Sequence, residues 1–395
     1  MNRTIRAIAA LLLAVLLLAA VGCSGGSSET ANEPAASGKP YKIGAILSLT
    51  GTYAALGAAE KNALDLEVKR INDAGGVNGR QIEVIIEDDG TDEAKAVAAA
   101  SKLIEQDGVV AILGASGTGQ SMAMRSEIDR AGIPQISMAG GNAITAKFDS
   151  LVYQTPWSNM IVVPFVLDKI KADGYTKIGL LSDSGGYGKD GREVILKDAP
   201  TAGIQIVSDQ TFNAGDTDMT AQLTKIKESG AQALLMWTAG KESVTIAKNK
   251  EQLGMTMPWY GGSGQARAEF PTGAGTAAQG FIFGTGKSLV PKTWGEGSEE
   301  FDVVSDFAKR YEVEYGELPD IFAGHAFDAI SIITDALDRA PDNAGGEALN
   351  SAVESTKNLI GFGGNFTFSA TDHNGLTEED LALYEIENGK WVPLQ

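Results

Sequence analysis

Cysteine and histidine are nearly absent from this sequence of 395 residues, which contains one cysteine and two histidines. A single cysteine forms no internal disulfide and supplies too few thiolates for a structural zinc site. The two histidines, His325 and His373, are not arranged in a His-Glu-x-x-His pattern, and no nucleophile–base pair is evident. We therefore expect no metal, no cofactor and no catalytic activity.

Positive charge is also scarce. The 32 lysines and arginines are outnumbered by 51 aspartates and glutamates, so the formal net charge is −19. A surface of this sign repels nucleic acids, which argues against nucleic acid as a partner. An anionic ligand would have to be captured by short-range hydrogen bonds, because long-range attraction is lacking.

Long apolar runs are limited to one, at residues 8–21. As a helix it would reach about 21 Å, which is short of the roughly 30 Å hydrocarbon core of a bilayer. Arginines precede the run and small residues follow it, which is the layout of a secretory signal. We predict a signal peptide at residues 1–22 and an extracytoplasmic protein.

The only cysteine, Cys23, directly follows this run in the stretch AVGC. The stretch resembles the bacterial lipobox, whose cysteine receives a diacylglyceryl group and becomes the new N-terminus. Residues 23–40 are small, polar and rich in glycine, serine and proline, which predicts a flexible tether. We therefore predict lipid attachment at Cys23; an ordinary signal cleaved nearby, with an inert cysteine, is the alternative.

Strand-like and helix-like segments alternate along the rest of the chain, which is longer than one hydrophobic core usually accommodates. A strand at YKIGAILSL is followed by a helix over 53–73, and the order repeats as far as the strand IPQISM. The alternation begins again after LVYQTPWSN. Strict alternation predicts two α/β units, each with a parallel sheet covered by helices on both faces.

The C-terminal part of the sequence indicates that the chain passes between these two units again. Helices are expected near 299–315 and 322–339, and the chain ends in LALYEIENGKWVPL, where Asn388-Gly389 is a good hairpin turn. The chain therefore crosses between the two units more than once.

Two glycine-rich stretches invite a nucleotide-binding interpretation. The first and last glycines of GFIFGTGKS (280–288) enclose five residues, whereas a phosphate loop needs four, so we interpret it as a connection between lobes. GASGTG (114–119) lacks the dinucleotide spacing, but it follows a strand and opens a helix whose N–H groups favour an anion. Ser116 and Thr118 add hydroxyl donors there; a plain turn into a helix is the alternative.

The stretches TGTYAALG, INDAGGVNG and the following DD occur together in the first of the two α/β units. In this combination the chain resembles the leucine/isoleucine/valine-type solute-binding proteins of ABC importers, from residue 41 to about 390. The resemblance implies the type I periplasmic-binding-protein fold, with two doubly wound α/β lobes, three hinge crossovers and a central ligand cleft.

The resemblance also implies a division into lobes. Lobe I would comprise 41–155 plus 287–362, and lobe II would comprise 156–286 plus 363–395. The hinges would lie near Thr155–Trp157, Phe283–Lys287 and Gly361–Gly364, and the lobes would close around a bound ligand.

Ligand-binding positions carry over by their place in the family's motifs. Ser116 would face the ligand carboxylate, and SMAGGN would supply Ala139, Gly140 and Gly141 around the amino and carboxylate groups. Tyr187 would close over the ligand from the second lobe.

Four positions depart from the family's amino-acid binders. Gly141 stands where threonine or serine is usual, and Ser263 stands where an acid is usual; Leu56 and His325 replace common aromatic residues. A buried ammonium needs a charged partner or several acceptors. We therefore expect aromatic or other non-amino carboxylates to bind more tightly than leucine, with Gly141 leaving room for a flat ring.

The resemblance implies an extracytoplasmic lipoprotein that captures a small carboxylate, either a branched-chain amino acid or an aromatic acid, and delivers it to an ABC permease. The lipid anchor would hold it on a membrane, and it would be a monomer. A binding module that presents its ligand to a membrane receptor is the alternative.

Replacing the predicted lipid-attachment residue tests the anchor. Cys23→Ser removes the only thiol, so we expect the protein to leave the membrane fraction and appear in the soluble extracytoplasmic fraction. Cell fractionation followed by immunoblotting measures this, with Ser24→Ala as the matched control. An unchanged distribution of the Cys23→Ser variant would contradict lipidation.

Overall fold

The computed structural model describes residues 38–146, 148–341 and 345–394. The predicted signal peptide, Cys23 and most of the predicted tether lie outside these described residues. None of the helices within the described ranges is long and apolar enough to cross a membrane.

Fourteen strands are present in the described residues, and most are short. They are β1 (Tyr41–Leu47), β2 (Ile82–Asp88), β3 (Ile112–Gly114), β4 (Gln135–Ser137), β5 (Val152–Gln154), β6 (Lys177–Asp183), β7 (Gln205–Phe212), β8 (Ala233–Trp237), β9 (Trp259–Gly261), β10 (Phe281–Gly286), β11 (Leu359–Ile360), β12 (Asn365–Phe366), β13 (Leu381–Glu387) and β14 (Lys390–Pro393).

Thirteen α-helices alternate with these strands in the same described ranges. They are α1 (Ala54–Asp73), α2 (Glu93–Lys102), α3 (Thr118–Ala123), α4 (Arg125–Ala131), α5 (Ala143–Ala146), α6 (Asn159–Ala172), α7 (Gly186–Asp198), α8 (Thr220–Glu228), α9 (Glu242–Gln252), α10 (Glu269–Ala274), α11 (Glu299–Tyr315), α12 (Ile321–Arg339) and α13 (Glu347–Glu354).

The strands form two main sheets. The five-stranded sheet has the order β2-β1-β3-β4-β5 and is parallel throughout. The seven-stranded sheet has the order β14-β13-β10-β9-β8-β6-β7, and it is parallel except where the C-terminal hairpin β13–β14 adds to its edge. The predicted two-lobed α/β fold of the type I periplasmic-binding-protein class is confirmed.

Burial explains why the central strands are almost wholly apolar. Every residue of β8, with the sequence ALLMW, is buried, and six of the seven residues of β1 are buried as well. A parallel sheet covered by helices on both faces has no solvent side, so its strands need not alternate with polar residues.

Helix starts follow from side-chain caps in the sequence. The Asp92 carboxylate accepts the N–H of Lys95 at 2.9 Å at the start of α2, and Ser298 accepts the N–H of Phe301 at the start of α11. Such caps satisfy backbone donors that the first turn leaves free.

Most predicted elements are confirmed, among them the long helices α1, α11 and α12 and the hairpin turn at Asn388-Gly389, whose φ angles of 51° and 74° are those of a left-handed turn. One interpretation was wrong: GFIFGTGKS is not simply a connection, because most of it is strand β10. The stretch LVYQTPWSN, after which the alternation begins again, contains the short strand β5.

The chain passes between the two sheets three times. It leaves the five-stranded sheet after β5, returns after β10 to α11 and α12, which pack against α1, and reaches the seven-stranded sheet again at β13. The predicted lobe boundaries at these crossings stay predictions.

Trp157 connects the three crossing segments, in which the chain passes between the two sheets. It lies in the first of them, and its indole N–H donates to the carbonyl of Gly363 in the third at 3.0 Å. Gly286, at the start of the second, packs so closely that a Cβ placed on it would lie 1.9 Å from Trp157 Cζ2. The close approach therefore requires a glycine at this position.

Adding one methyl group at this contact tests its importance. Gly286→Ala must displace the Trp157 ring, so we expect a loss of roughly 1–3 kcal/mol in the free energy of unfolding, measured by urea denaturation. Gly345→Ala is the matched control, because a Cβ there meets no atom within 4 Å. Equal stability of the two variants would show that the crossing tolerates a side chain.

Candidate functional site

A cavity lies between residues of the five-stranded side and residues of the seven-stranded side. Its lining residues are Tyr53, Leu56, Ser116, Gly117, Thr118, Met138, Ala139, Gly140, Pro156, Trp157, Tyr187, Ala239, Ser263, Gly264, Ile321, Phe322 and His325.

Most of the lining comes from loops that follow the carboxyl ends of parallel strands. Tyr53 follows β1, Ser116 follows β3, Tyr187 follows β6 and Ser263 follows β9. Ligands of open α/β sheets bind at this end of the strands, because the chain splits there into loops that leave a crevice.

The structure brings together seven of the eight predicted ligand-binding residues. Leu56, Ser116, Ala139, Gly140, Tyr187, Ser263 and His325 all line the cavity. That these residues bind a ligand stays a prediction.

Gly141 is the exception, and the argument that it leaves room for a ring was wrong. It does not line the cavity, and a Cβ placed on it would lie 2.3 Å from Thr118 Cγ2. The space beside Gly141 is therefore already filled by the Thr118 side chain.

One end of the cavity carries two buried hydroxyls. Ser116 Oγ accepts the backbone N–H of Ser48 at 3.0 Å and forms a short hydrogen bond with the carboxylate of Glu60. Thr118 Oγ1 is buried and has no hydrogen-bond partner among the described residues. A buried hydroxyl without a partner costs free energy, so this end is suited to a polar ligand group.

The opposite walls are aromatic. Tyr187 reaches from α7 towards Gly140 on the five-stranded side, and its ring stacks on Trp237 with centroids 6.2 Å apart. The His325 ring lies edge-on to Trp157 at 5.5 Å. Burial lowers the pKa of His325 to about 3, so its imidazole is neutral at physiological pH.

Ser263 is already engaged with the protein. Its hydroxyl donates to the carbonyl of Gly284 at 3.3 Å. No aspartate, glutamate, lysine or arginine stands among the residues that line the described cavity. The wall therefore offers neither a carboxylate to a ligand ammonium nor a cation to a ligand carboxylate.

Two polar contacts beside the cavity join the two sides. The Asp190 carboxylate on α7 accepts the backbone N–H groups of Asn142 and Ala143 at 2.7 and 2.8 Å. The Thr52 hydroxyl donates to Glu242 on α9 at 2.6 Å. These contacts hold the cavity walls together.

Several residues that line the cavity or lie beside it were not predicted from the sequence. Ile321 and Phe322 lie four and three positions before His325 on α12, so they share its face, and helical spacing could have found them. Glu60 does not line the cavity, but it lies four positions after Leu56 on α1 and could have been found by the same spacing. Met138 and Pro156 carry no such signal, because they lie in loops.

Asp320 caps the start of α12 and is a partly buried acid near the cavity. Its carboxylate accepts the backbone N–H groups of Phe322 and Ala323 at 3.0 and 3.1 Å. Burial is the largest influence on this carboxyl group and raises its pKa to about 6.

Comparison with known proteins gives consistent matches. The family model described as periplasmic binding protein matches residues 40–390. The Leu/Ile/Val-binding protein homolog 3 of Brucella melitensis biotype 1 is 25% identical over 359 residues, which cover 89% of this chain and 93% of that protein.

Solved structures show the same fold. The branched-chain amino acid transporter substrate binding protein LivJ from Streptococcus pneumoniae, in complex with isoleucine, superposes with a TM-score of 0.79 at 27% identity, over 90% of this chain and 100% of that one. A solute binding protein of an ABC transporter from R. palustris, in complex with benzoate, has a TM-score of 0.79 at 24% identity, over 90% and 95% of the chains. The latter likeness concerns the fold alone.

The pH dependence of stability tests the environment of Asp320. A carboxyl group with a pKa of about 6 in the folded state and about 3.9 when unfolded stabilises the protein below pH 4, and this contribution is lost as the pH rises through 6. Asp320→Asn keeps the cap oxygen and cannot ionise. Relative to the wild type, we expect it to gain about 2 kcal/mol between pH 4 and pH 7 in urea unfolding, since one pKa unit is worth about 1.36 kcal/mol and the unfolded carboxyl group is already about half ionised at pH 4.

The exposed helix cap Asp92→Asn is the matched control, because it also keeps a cap oxygen. If the difference in free energy of unfolding between the Asp320→Asn variant and the wild type did not change with pH, the carboxyl group of Asp320 would have an ordinary pKa, and the prediction would be wrong.

Proposed function

Because the chain belongs to the periplasmic binding protein family, we propose that it is an extracytoplasmic solute-binding lipoprotein of an ABC importer, which captures a small carboxylate with an apolar body. It would take up its ligand between the two lobes, deliver it unchanged to a membrane permease, and remain on the membrane through lipid on Cys23.

The cavity between the two sheets carries this proposal. It combines buried hydroxyls at one end with Leu56, Trp157 and Phe322 along its length, and it draws its lining from both sides. A few oriented polar groups in an apolar enclosure are typical of small-molecule sites. The relatives named as Leu/Ile/Val-binding proteins support the ligand's size and its apolar body.

The contacts of Asp190 and Thr52 across the cavity support capture by closure. They join backbone and side-chain donors of the five-stranded side to carboxylates of the seven-stranded side. A ligand that touches both sides strengthens the closed arrangement by its differential affinity for that state.

The polarity of the cavity favours a ligand without an ammonium group. The isoleucine bound by the S. pneumoniae relative carries both a carboxylate and an ammonium. Here the lining described above includes no acidic side chain, and Ser263 stands where an acid would be expected. An ammonium would lose its hydration without an ionic partner, which is costly. A non-amino carboxylate avoids this cost.

Isothermal titration calorimetry with benzoate, 4-hydroxycinnamate, leucine and isoleucine tests the proposal. We expect the aromatic acids to bind more tightly than the amino acids. Ser116→Ala should weaken benzoate binding by about tenfold or more, because a buried donor to a charged group is removed.

Ser229→Ala is the matched control and should change the benzoate affinity little, because its hydroxyl donates to the carbonyl of Ile226 and does not line the cavity. Tight leucine binding without binding of the aromatic acids would contradict the assigned specificity. Failure of all four compounds to bind would contradict the proposed ligand class.

A further inference from the structure

Glu60 lies directly behind the hydroxyl end of the cavity and is fully buried. It is carried by α1, one turn after the lining residue Leu56. Its Oε2 forms the short hydrogen bond with Ser116, whereas its Oε1 has no hydrogen-bond partner among the described residues. A buried carboxylate with an unpaired oxygen is a costly arrangement if it is ionised.

A second glutamate on the same helix shows what an ionised arrangement looks like. Glu67, two turns later, is also fully buried, but it forms ion pairs with Arg70 and Arg310. No described ion pair includes Glu60. The two buried glutamates of α1 are therefore in electrostatically opposite surroundings.

The charged groups that face Glu60 are acidic. They are Asp89, which follows β2, and Asp320, which caps α12. Asp89 is itself fully buried and is bonded to Ser48 through its Oδ1 at 2.6 Å. Burial is the main cause that raises the pKa of Glu60 well above its usual value; the hydrogen bond with Ser116 partly opposes it, and the two neighbouring acids raise the pKa further.

The protonation state of Glu60 determines what Ser116 can offer to a ligand. A serine hydroxyl has one proton and two acceptor sites. Ser116 Oγ already accepts the N–H of Ser48. If Glu60 is ionised, Ser116 must give its only proton to Glu60, and its remaining site can only accept. If Glu60 is protonated, it donates to Ser116, and the Ser116 proton is free to point into the cavity.

We infer that Glu60 is a positioning residue that stays protonated and donates to Ser116, so that the Ser116 hydroxyl donates to the carboxylate of the ligand. This inference rests on the proposed function, since it assumes that the ligand group at this end is an anion. It also makes Glu60 a determinant of specificity. An ionised Glu60 would turn Ser116 into an acceptor and bring a negative charge close to the ligand, which would favour an ammonium in place of a carboxylate.

Infrared difference spectroscopy at pH 7 reads the protonation state directly. We expect the wild-type spectrum minus that of Glu60→Gln to show the C=O band of a carboxylic acid, with and without benzoate. The matched control is Glu67→Gln, whose difference spectrum should lack that band, because Glu67 is paired with two arginines. Absence of the band from the Glu60→Gln difference would overturn the inference.

Benzoate affinity tests the positioning role separately. The amide of Glu60→Gln can donate to Ser116 as the protonated acid does, so we expect its dissociation constant to stay within about threefold of the wild type. Glu60→Ala removes the donor and should weaken binding by about tenfold or more. A Glu60→Gln variant that remains folded but is weakened as much as Glu60→Ala would overturn the role.

The two proposals fail in different ways. If no carboxylate binds the folded wild type and the infrared band is present, the proposed ligand class is wrong and the protonation of Glu60 stands. If benzoate binds and the band is missing, the proposed function stands and the inference about Glu60 is wrong.

Discussion

The indole of Trp157 is the contact on which the arrangement of the two lobes depends. It lies in the first crossing segment, packs on Gly286 of the second, and donates to the carbonyl of Gly363 in the third. The third segment is held from its other side by Asp328 on α12, whose carboxylate accepts the N–H of Gly363 at 2.8 Å. Because the same indole forms a wall of the cavity, the geometry of the site and that of the crossings are fixed together.

Acidic groups whose burial raises their pKa are the second recurring feature. Glu60 and Asp328 are fully buried and Asp320 is partly buried, all three close to the cavity or to the crossings, and loss of hydration raises the pKa of each. Asp320 accepts backbone N–H groups at the start of α12, and Asp328 accepts backbone N–H groups of the third crossing segment. In a chain with a net charge of −19, Glu60 in its protonated form is a hydrogen-bonding group and adds little to the repulsion of an anionic ligand.

The likeness to proteins named for leucine, isoleucine and valine extends over nearly the whole described chain, but the cavity is where specificity is decided. Its apolar walls suit the side chain of such an amino acid or an aromatic ring equally well. The difference between these ligands is the ammonium group, and the cavity lining offers it no acidic side chain, only neutral polar groups such as the hydroxyl of Thr118 and the imidazole of His325. Specificity within this fold therefore depends on the hydrogen-bonding state of a small number of hydroxyls, while the scaffold stays the same.

Whereas most of the predicted cavity-lining residues came from the resemblance to a known family, local sequence patterns predicted the order of the secondary structure, the two α/β units and the C-terminal hairpin. These features depend on short-range periodicity, on caps and on turn residues such as Asn388-Gly389, all of which are visible within a few positions. Three contacts are visible only in the folded structure. The Thr118 side chain fills the space beside Gly141, Ser263 is hydrogen-bonded to the carbonyl of Gly284, and Glu60 lies behind Ser116. Glu60 and Ser116 are 56 positions apart in the chain. Which hydroxyl proton is free for a ligand depends on such distant neighbours, and local sequence patterns hold no information about them.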